Sequence, residues 1–164
     1  MNEQELNKIL IHTFYSSFAQ RDYNTMGECY HPEVIFKDEA FQLTRKQVPA
    51  MWHMLCERGK DLEIEYEHVE VSANTGSANW TARYTFSATK RPVVNEIAAS
   101  FIFKDGLIIN HKDDFDFWRW STQALGFPGL ILGWSSFLKK KVQKQALDSL
   151  NAFISKHPEY QDGN

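Results

Sequence analysis

Trp80-Thr81-Ala82-Arg83-Tyr84-Thr85-Phe86-Ser87 places an apolar or aromatic side chain at every second position and a polar one between. A period of two is the pattern of a β-strand with one dry face and one wet face. The same alternation begins upstream, where Leu62, Ile64 and Tyr66 interleave with Glu63, Glu65 and Glu67. It continues downstream in Ile97, Ala99, Phe101 and Phe103, after a turn at Arg91-Pro92. Lys104-Asp105-Gly106 reads as a tight hairpin turn, and a last strand is predicted from Leu107 to about Trp118. Residues 62 to 118 therefore predict about four antiparallel strands.

Before this block the period is helical. Leu6, Ile9, Leu10, Phe14 and Phe18 recur at three- and four-residue steps between Gln4 and Gln20. Asp22 is placed to cap a short second helix carrying Tyr23, Met26 and Tyr30, which His31-Pro32 stops. Val34-Ile35-Phe36 predicts a short strand ending at Lys37-Asp38. A third helix is expected from Thr44, or nearer Val48 because of Pro49, through Arg58, with Gly59 closing it. Its buried stripe is Val48, Met51, Trp52 and Leu55. Helices first and strands afterwards argue an α+β fold rather than a parallel doubly wound sheet.

Among 164 residues, 43% are hydrophobic and 14% aromatic, enough for a real core and against disorder. Eighteen basic and 21 acidic side chains leave a net charge of −3, so no nucleic-acid partner is expected. Met1-Asn2-Glu3-Gln4-Glu5 has neither the positive nor the apolar region of a secretory signal, which gives a cytoplasmic location as the expectation. Cys29 and Cys56 lack metal or redox spacing and read as core residues.

Past Trp118 the chain changes character. Ala124 to Leu138, including Gly126-Phe127-Pro128-Gly129 and Leu130-Ile131-Leu132-Gly133-Trp134, is almost uncharged, and Lys139, Lys140, Lys141 and Lys144 follow at once. The run is shorter than the ~20 residues of a spanning helix and is broken by Gly and Pro. A lid over the domain's own core, a dimer contact and a membrane-surface hairpin are the three readings, the last ranked below the others. A closing helix is expected from Lys139 to Ser155. Residues 121–164 are thus read as an apolar hairpin and helix packing on the domain formed by residues 1–120. Trp118, Arg119 and Trp120 look like the anchor at the junction, with Arg119 positioned to stack on an indole.

Phe14-Tyr15-Ser16-Ser17-Phe18-Ala19-Gln20-Arg21-Asp22 and Tyr30-His31-Pro32-Glu33-Val34-Ile35-Phe36-Lys37-Asp38 resemble the opening of SnoaL-like and ketosteroid-isomerase-like proteins of the nuclear-transport-factor-2-like superfamily. Trp80 to Phe86 and Phe101 to Ile108 look like sheet strands of the same superfamily, so the resemblance spans roughly residues 5 to 120. It implies a cone: N-terminal helices packed on a curved, mostly antiparallel sheet around an apolar pocket, here with a C-terminal helical extension. It also implies a homodimer. Asp38 falls where the isomerase base aspartate stands, but Phe14 and Ala99 occupy the positions of the tyrosine and protonated-aspartate donors of that enzyme. Neither can donate to an enolate oxygen, so steroid isomerisation by that route is not implied.

Along Leu107 to Phe117, His111, Asp113, Phe115 and Phe117 share one face, and Asn110, Lys112, Asp114 and Asp116 the other. If the first face lines the cone, Asp38, His111 and Asp113 are the candidate catalytic groups, with desolvation suiting either carboxyl to proton transfer. Some SnoaL-like cyclases are similar in carrying an acid on this strand. Phe14, Phe18, Trp52, Trp80, Tyr84, Phe86, Phe101 and Phe115 are the candidate pocket walls, some of which simply pack. The alternation splits Asp113, Asp114 and Asp116 between faces, so no metal is expected, nor any cofactor. His53 is taken as a surface or groove residue. Two functions remain open: a cofactor-independent proton-transfer enzyme (isomerase, cyclase, dehydratase or hydrolase) on an apolar oxygenated small molecule, or a module that binds a lipid-like ligand or dimerises.

Overall fold

The computed structural model describes residues 1–161. Helix α1 (Glu3–Ala19) opens on a capping box: the Asn2 side chain accepts from the Glu5 amide and the Glu5 side chain accepts from the Asn2 amide. Its buried face is Asn7, Ile11, Phe14, Tyr15, Ser17 and Phe18, while Leu6 and Ile9 lie outside. Two apolar stripes were available at helical spacing, and packing against the strand that carries Tyr66 and Val71 selected the second. Helix α2 (Tyr23–Glu28) is capped by Asp22 as expected.

Strand β1 runs Tyr30–Lys37, longer than predicted, and takes Tyr30 out of the second helix. The reason is tertiary: Tyr30 pairs with Ile108, and the Ile108 amide donates to the Cys29 carbonyl. A short strand not foreseen, β2 (Gln42–Thr44), edges β1 in antiparallel register. Thr44 is therefore in a strand rather than at a helix cap. The chain turns at Arg45 (φ 51°) before α3 (Gln47–Arg58), which carries Pro49 in its first turn and ends at Gly59.

Strands β3 (Glu63–Val71), β4 (Thr75–Phe86), β5 (Arg91–Lys104) and β6 (Leu107–Asp114) form the predicted antiparallel block. The six strands lie in the order β2-β1-β6-β5-β4-β3, with β1 and β6 parallel and every other pair antiparallel. Register breaks at Tyr30/Ile35, Glu67/Glu70 and Ile102/Phe103 bend the sheet. Helices α1 and α3 lie across its concave face, where Phe14, Phe18, Phe36, Trp52 and Phe101 are buried to 2% exposure or less. Cys29 and Cys56 are free and buried in this core.

The last strand stops earlier than its alternation suggested. The Asp116 side chain accepts from the Arg119 amide and caps α4 (Phe117–Leu125). Phe117 thus leaves the strand face, and Trp118, Arg119 and Trp120 are helical. Arg119 pairs with Glu96 at 2.8 Å instead of stacking on an indole. Gly126 (φ 69°) then reverses the chain into α5 (Phe127–Leu132). A Cβ on Gly129 would lie 1.9 Å from the Ser121 carbonyl oxygen, and one on Gly133 2.2 Å from the Ser121 hydroxyl. The hairpin closes on its small residues. Helix α6 (Ser136–Ser155) returns across α3 through Leu150 and Phe153, and a 3-10 turn (Pro158–Tyr160) follows it.

Substituting Gly129→Ala forces a methyl into the α4 backbone, so α5 must lift away. Hydrogen exchange of the α5 amides and limited proteolysis between 126 and 135 are expected to accelerate, with amide protection of β4 to β6 unchanged.

Candidate functional site

Parallel pairing of β1 with β6 sets Phe36 beside His111 and Lys37 beside Lys112. Asp38, the next residue, therefore follows the strand to the level of Asp113, on the inward face that Phe36 and His111 share. The two strands bring His111 and Asp113 into contact and set Asp38 close enough to feel the Asp113 charge.

His111 and Asp113 are buried to 0% and 2% exposure, with His111 Nε2 3.0 Å from Asp113 Oδ1. Direct pairing of residues two apart on a strand requires both side chains to lean together, and here they do. His111 Nδ1 is 2.7 Å from the Tyr30 hydroxyl, Trp52 Nε1 donates to that hydroxyl at 2.8 Å, and Trp80 Nε1 donates to Asp113 Oδ1 at 3.3 Å. An indole nitrogen only donates, so the Tyr30 hydroxyl accepts from Trp52 and Asp113 Oδ1 from Trp80, and His111 lies between these two acceptors with one ring nitrogen on each. Trp52 stacks on the imidazole, and Phe14 and Phe36 meet it edge-on.

Tyr30 was assigned no role from the sequence, since a tyrosine in a helical pattern gives no sign of a strand partner. Tyr15 is the second omission. Its hydroxyl is buried with no hydrogen-bond partner among the described residues. Burial first, then the nearby Asp113 charge and Tyr30, push its pKa well above the usual value. An orphaned hydroxyl beside a carboxylate-bearing chain is a donor with nothing to donate to.

Asp38 follows the end of β1 and is half-buried. Its Oδ1 accepts from the amides of Ala40 at 2.7 Å and Phe41 at 2.6 Å, and Oδ2 makes no hydrogen bond among the described residues. Desolvation raises its pKa to about 7 against those two amides, with the charges of Asp113 and Glu39 adding to the rise. Lys139 of α6 pairs with Glu39, and Gln143 Nε2 donates to the Glu39 carbonyl at 3.0 Å. Tyr84, whose hydroxyl accepts from Trp120 Nε1 at 2.8 Å, feels the Asp38 charge from the other side.

The eight aromatic residues proposed as pocket walls separate into two groups. Phe14, Phe18, Trp52, Trp80 and Phe101 pack into the core, with Phe14, Phe18, Trp52 and Trp80 in mutual ring contact. Tyr84, Phe86 and Phe115 are half-buried nearer the rim. An open groove of about 590 Å³ lies toward the outer face of the sheet, lined by Trp80, Ile97 and Phe115 together with the acids Glu39, Glu67, Glu96, Asp114 and Asp116.

His53, expected at the surface or in a groove, is 6% exposed. It stacks on Tyr23 at 3.6 Å and its Nδ1 lies 3.0 Å from the Tyr160 hydroxyl, so it ties α3 to the chain's last turn. Donor atoms of His53, His157 and Glu159 come within 4.8 Å of one another. Both His53 nitrogens already face other partners, the second lying 3.5 Å from Glu57.

Residues 11–111 match the SnoaL-like domain family. The chain belongs to that family. Solved structures with the same fold include an LEH-like epoxide hydrolase of Mycobacterium tuberculosis, with a TM-score of 0.62 and 14% identity over 79% of this chain and 96% of that one. A protein of Catenulispora acidiphila with a ketosteroid-isomerase-like fold, in complex with trimethylamine, gives a TM-score of 0.63 and 10% identity over 73% and 94%. TsrD of Streptomyces laurentii gives 0.64 and 19% over 76% and 98%. No curated protein sequence matches the chain. The fold is the nuclear-transport-factor-2-like cone, α+β with a mostly antiparallel sheet, extended here by C-terminal helices.

Tyr30→Phe leaves Trp52 Nε1 and His111 Nδ1 buried without a partner. Urea unfolding should show a loss of about 2–3 kcal/mol, more than one ordinary hydrogen bond contributes. For Asp38 the folded pKa is raised from 3.8 to about 7, so the folded state holds the extra proton between those values. Its contribution is greatest below pH 4 and is lost as pH rises through about 7. Asp38→Asn keeps the acceptor for both amides. Compared with the variant, the wild type should lose on the order of 2 kcal/mol across that window, the full shift being discounted for solvent contact.

Proposed function

We propose that this protein is a cofactor-independent proton-transfer enzyme acting on a small, apolar, oxygen-bearing molecule at the rim of the cone. The observation that carries the reading is Asp38: a half-buried carboxylate with Oδ1 fixed by two amides and Oδ2 unbonded, level with the buried Asp113. A base with one bonded and one free oxygen is aimed without being neutralised. Its pKa of about 7 suits it to take a proton near neutral pH and return it.

The chain from Trp52 through Tyr30 and His111 to Asp113 is the positioning element beneath it. Asp113 keeps negative charge near Asp38 and so sustains its basicity. Tyr84 and Phe115 supply half-buried apolar surface at the rim. The epoxide hydrolase among the structures of the same fold supports including water addition among the reactions, beside isomerisation, cyclisation and dehydration.

A binding or interaction module is the second reading, supported by the large apolar side chains that residues 127–137 leave exposed. A panel of epoxides, enolisable ketones and β-hydroxy carbonyl compounds separates the two. Turnover is expected with kcat/KM falling below an apparent pKa near 7. Asp38→Asn should lose on the order of 10²–10⁴-fold in kcat while remaining folded. If Asp38→Asn and Asp113→Asn both leave the turnover unchanged, the catalytic reading is wrong; saturable binding without turnover supports the module.

A further inference from the structure

Helix α5 is inverted relative to an ordinary surface helix. Its glycines face inward, Gly129 against the Ser121 carbonyl and Gly133 against the Ser121 hydroxyl, and its bulky apolar side chains face out. Leu130, Ile131 and Leu132 are 46%, 47% and 42% exposed, and the flanking Phe127, Trp134 and Phe137 reach 72%, 78% and 71%. A lid would bury these groups over its own core. Here they are presented to the outside as one contiguous stretch of chain, with Trp118 beside it on α4, 43% exposed, bonding the Leu130 carbonyl.

Charge selects the occupant. Residues 117–147 contain five basic side chains and no acidic one, in a chain whose net charge is −3. Arg119, Lys139 and Lys144 have carboxylate partners, whereas Lys140 and Lys141 are exposed and form no ion pair among the described residues. They stand in the first turns of α6, directly after Trp134 and Phe137. Two copies meeting about a two-fold axis through this stretch would bring like charges together. An anionic lipid surface would neutralise them while the aromatic and aliphatic groups enter the headgroup and acyl boundary. No described helix is long and apolar enough to cross a membrane, so the segment would lie in the interface.

We infer that the α5 hairpin and the start of α6 form a docking surface for anionic phospholipid bilayers, with Phe127, Leu130, Ile131, Trp134 and Phe137 inserting and Lys140 and Lys141 on the headgroups. This stands apart from the proposed chemistry. Lys139 and Gln143 of α6 hold Glu39, next to Asp38, so docking also brings the rim of the cone toward the lipid.

The test is co-sedimentation of the full chain with phosphatidylcholine vesicles with and without phosphatidylglycerol, at low and high salt. Binding is expected to the phosphatidylglycerol vesicles and to weaken with salt. Each lysine at such a surface contributes on the order of fivefold, so Lys140→Glu with Lys141→Glu should weaken binding by roughly tenfold or more. Trp134→Ser with Phe137→Ser should weaken it comparably at either salt. All four positions are exposed, and circular dichroism checks that the variants fold. The inference is overturned if the wild type fails to sediment with anionic vesicles at low salt, or if both double variants bind as well as it does. It is equally overturned if the apolar pair instead abolishes a concentration-dependent dimer, seen by sedimentation velocity, in a protein that binds no vesicles.

Discussion

The hydrogen-bonded chain from Trp52 through Tyr30, His111 and Asp113 to Trp80 is the constraint on which the rest of the structure depends. It joins α3, β1, β6 and β4, four elements distant in sequence, through groups that leave water completely or almost so. A buried carboxyl is tolerated only where polar partners meet it, and among the described residues Asp113 Oδ1 meets the His111 imidazole and the Trp80 indole. The indoles donate inward at both ends of the chain, because they can only donate. The orientation of the His111 ring, the rotamer of Tyr30 and the register of β1 on β6 have to agree. Filling the cone with Phe14, Phe36 and Phe101 excludes water from these bonds and strengthens them.

The same arrangement accounts for the contrast between the two acids. Asp113 sits within the chain and its partners are internal. Asp38 lies one strand over at the rim, where two backbone amides hold one oxygen and burial raises its pKa. Ala99 is directly opposite Asp113 on β5. The resemblance to ketosteroid-isomerase-like proteins would place a carboxyl at position 99, and in this chain a carboxyl stands on the neighbouring strand instead.

Much of this was legible in the sequence. Period-two alternation marked β3 to β6 because one face of each meets the core and the other meets water, and Asp22 and Gly59 marked helix ends through their caps. Asp38, His111 and Asp113 were legible as candidates because alternation assigns faces and the family pattern assigns a position to Asp38. The errors fell where local patterns offered two solutions. Helix α1 carried two apolar stripes, Tyr30 suited either a helix end or a strand start, and Asp116 suited either continued alternation or a cap. For the first two a partner far along the chain decided, respectively β3 and Ile108, and for Asp116 the local cap on the Arg119 amide did.

By itself the sequence determined the α+β order, the faces of the strands, the aromatic core composition and the uncharged run from Ala124 to Leu138 followed by lysines. All of these are local, expressed in spacing and composition. Tertiary structure alone decided that Tyr30 meets His111, that the Tyr15 hydroxyl has no partner among the described residues, that the interior aromatics fill the cone, and that the large side chains of α5 turn outward. Those outcomes depend on which surfaces compete for the same contact. Gly129 and Gly133 approach Ser121 more closely than any larger residue permits, and that contact fixes which face of α5 remains exposed.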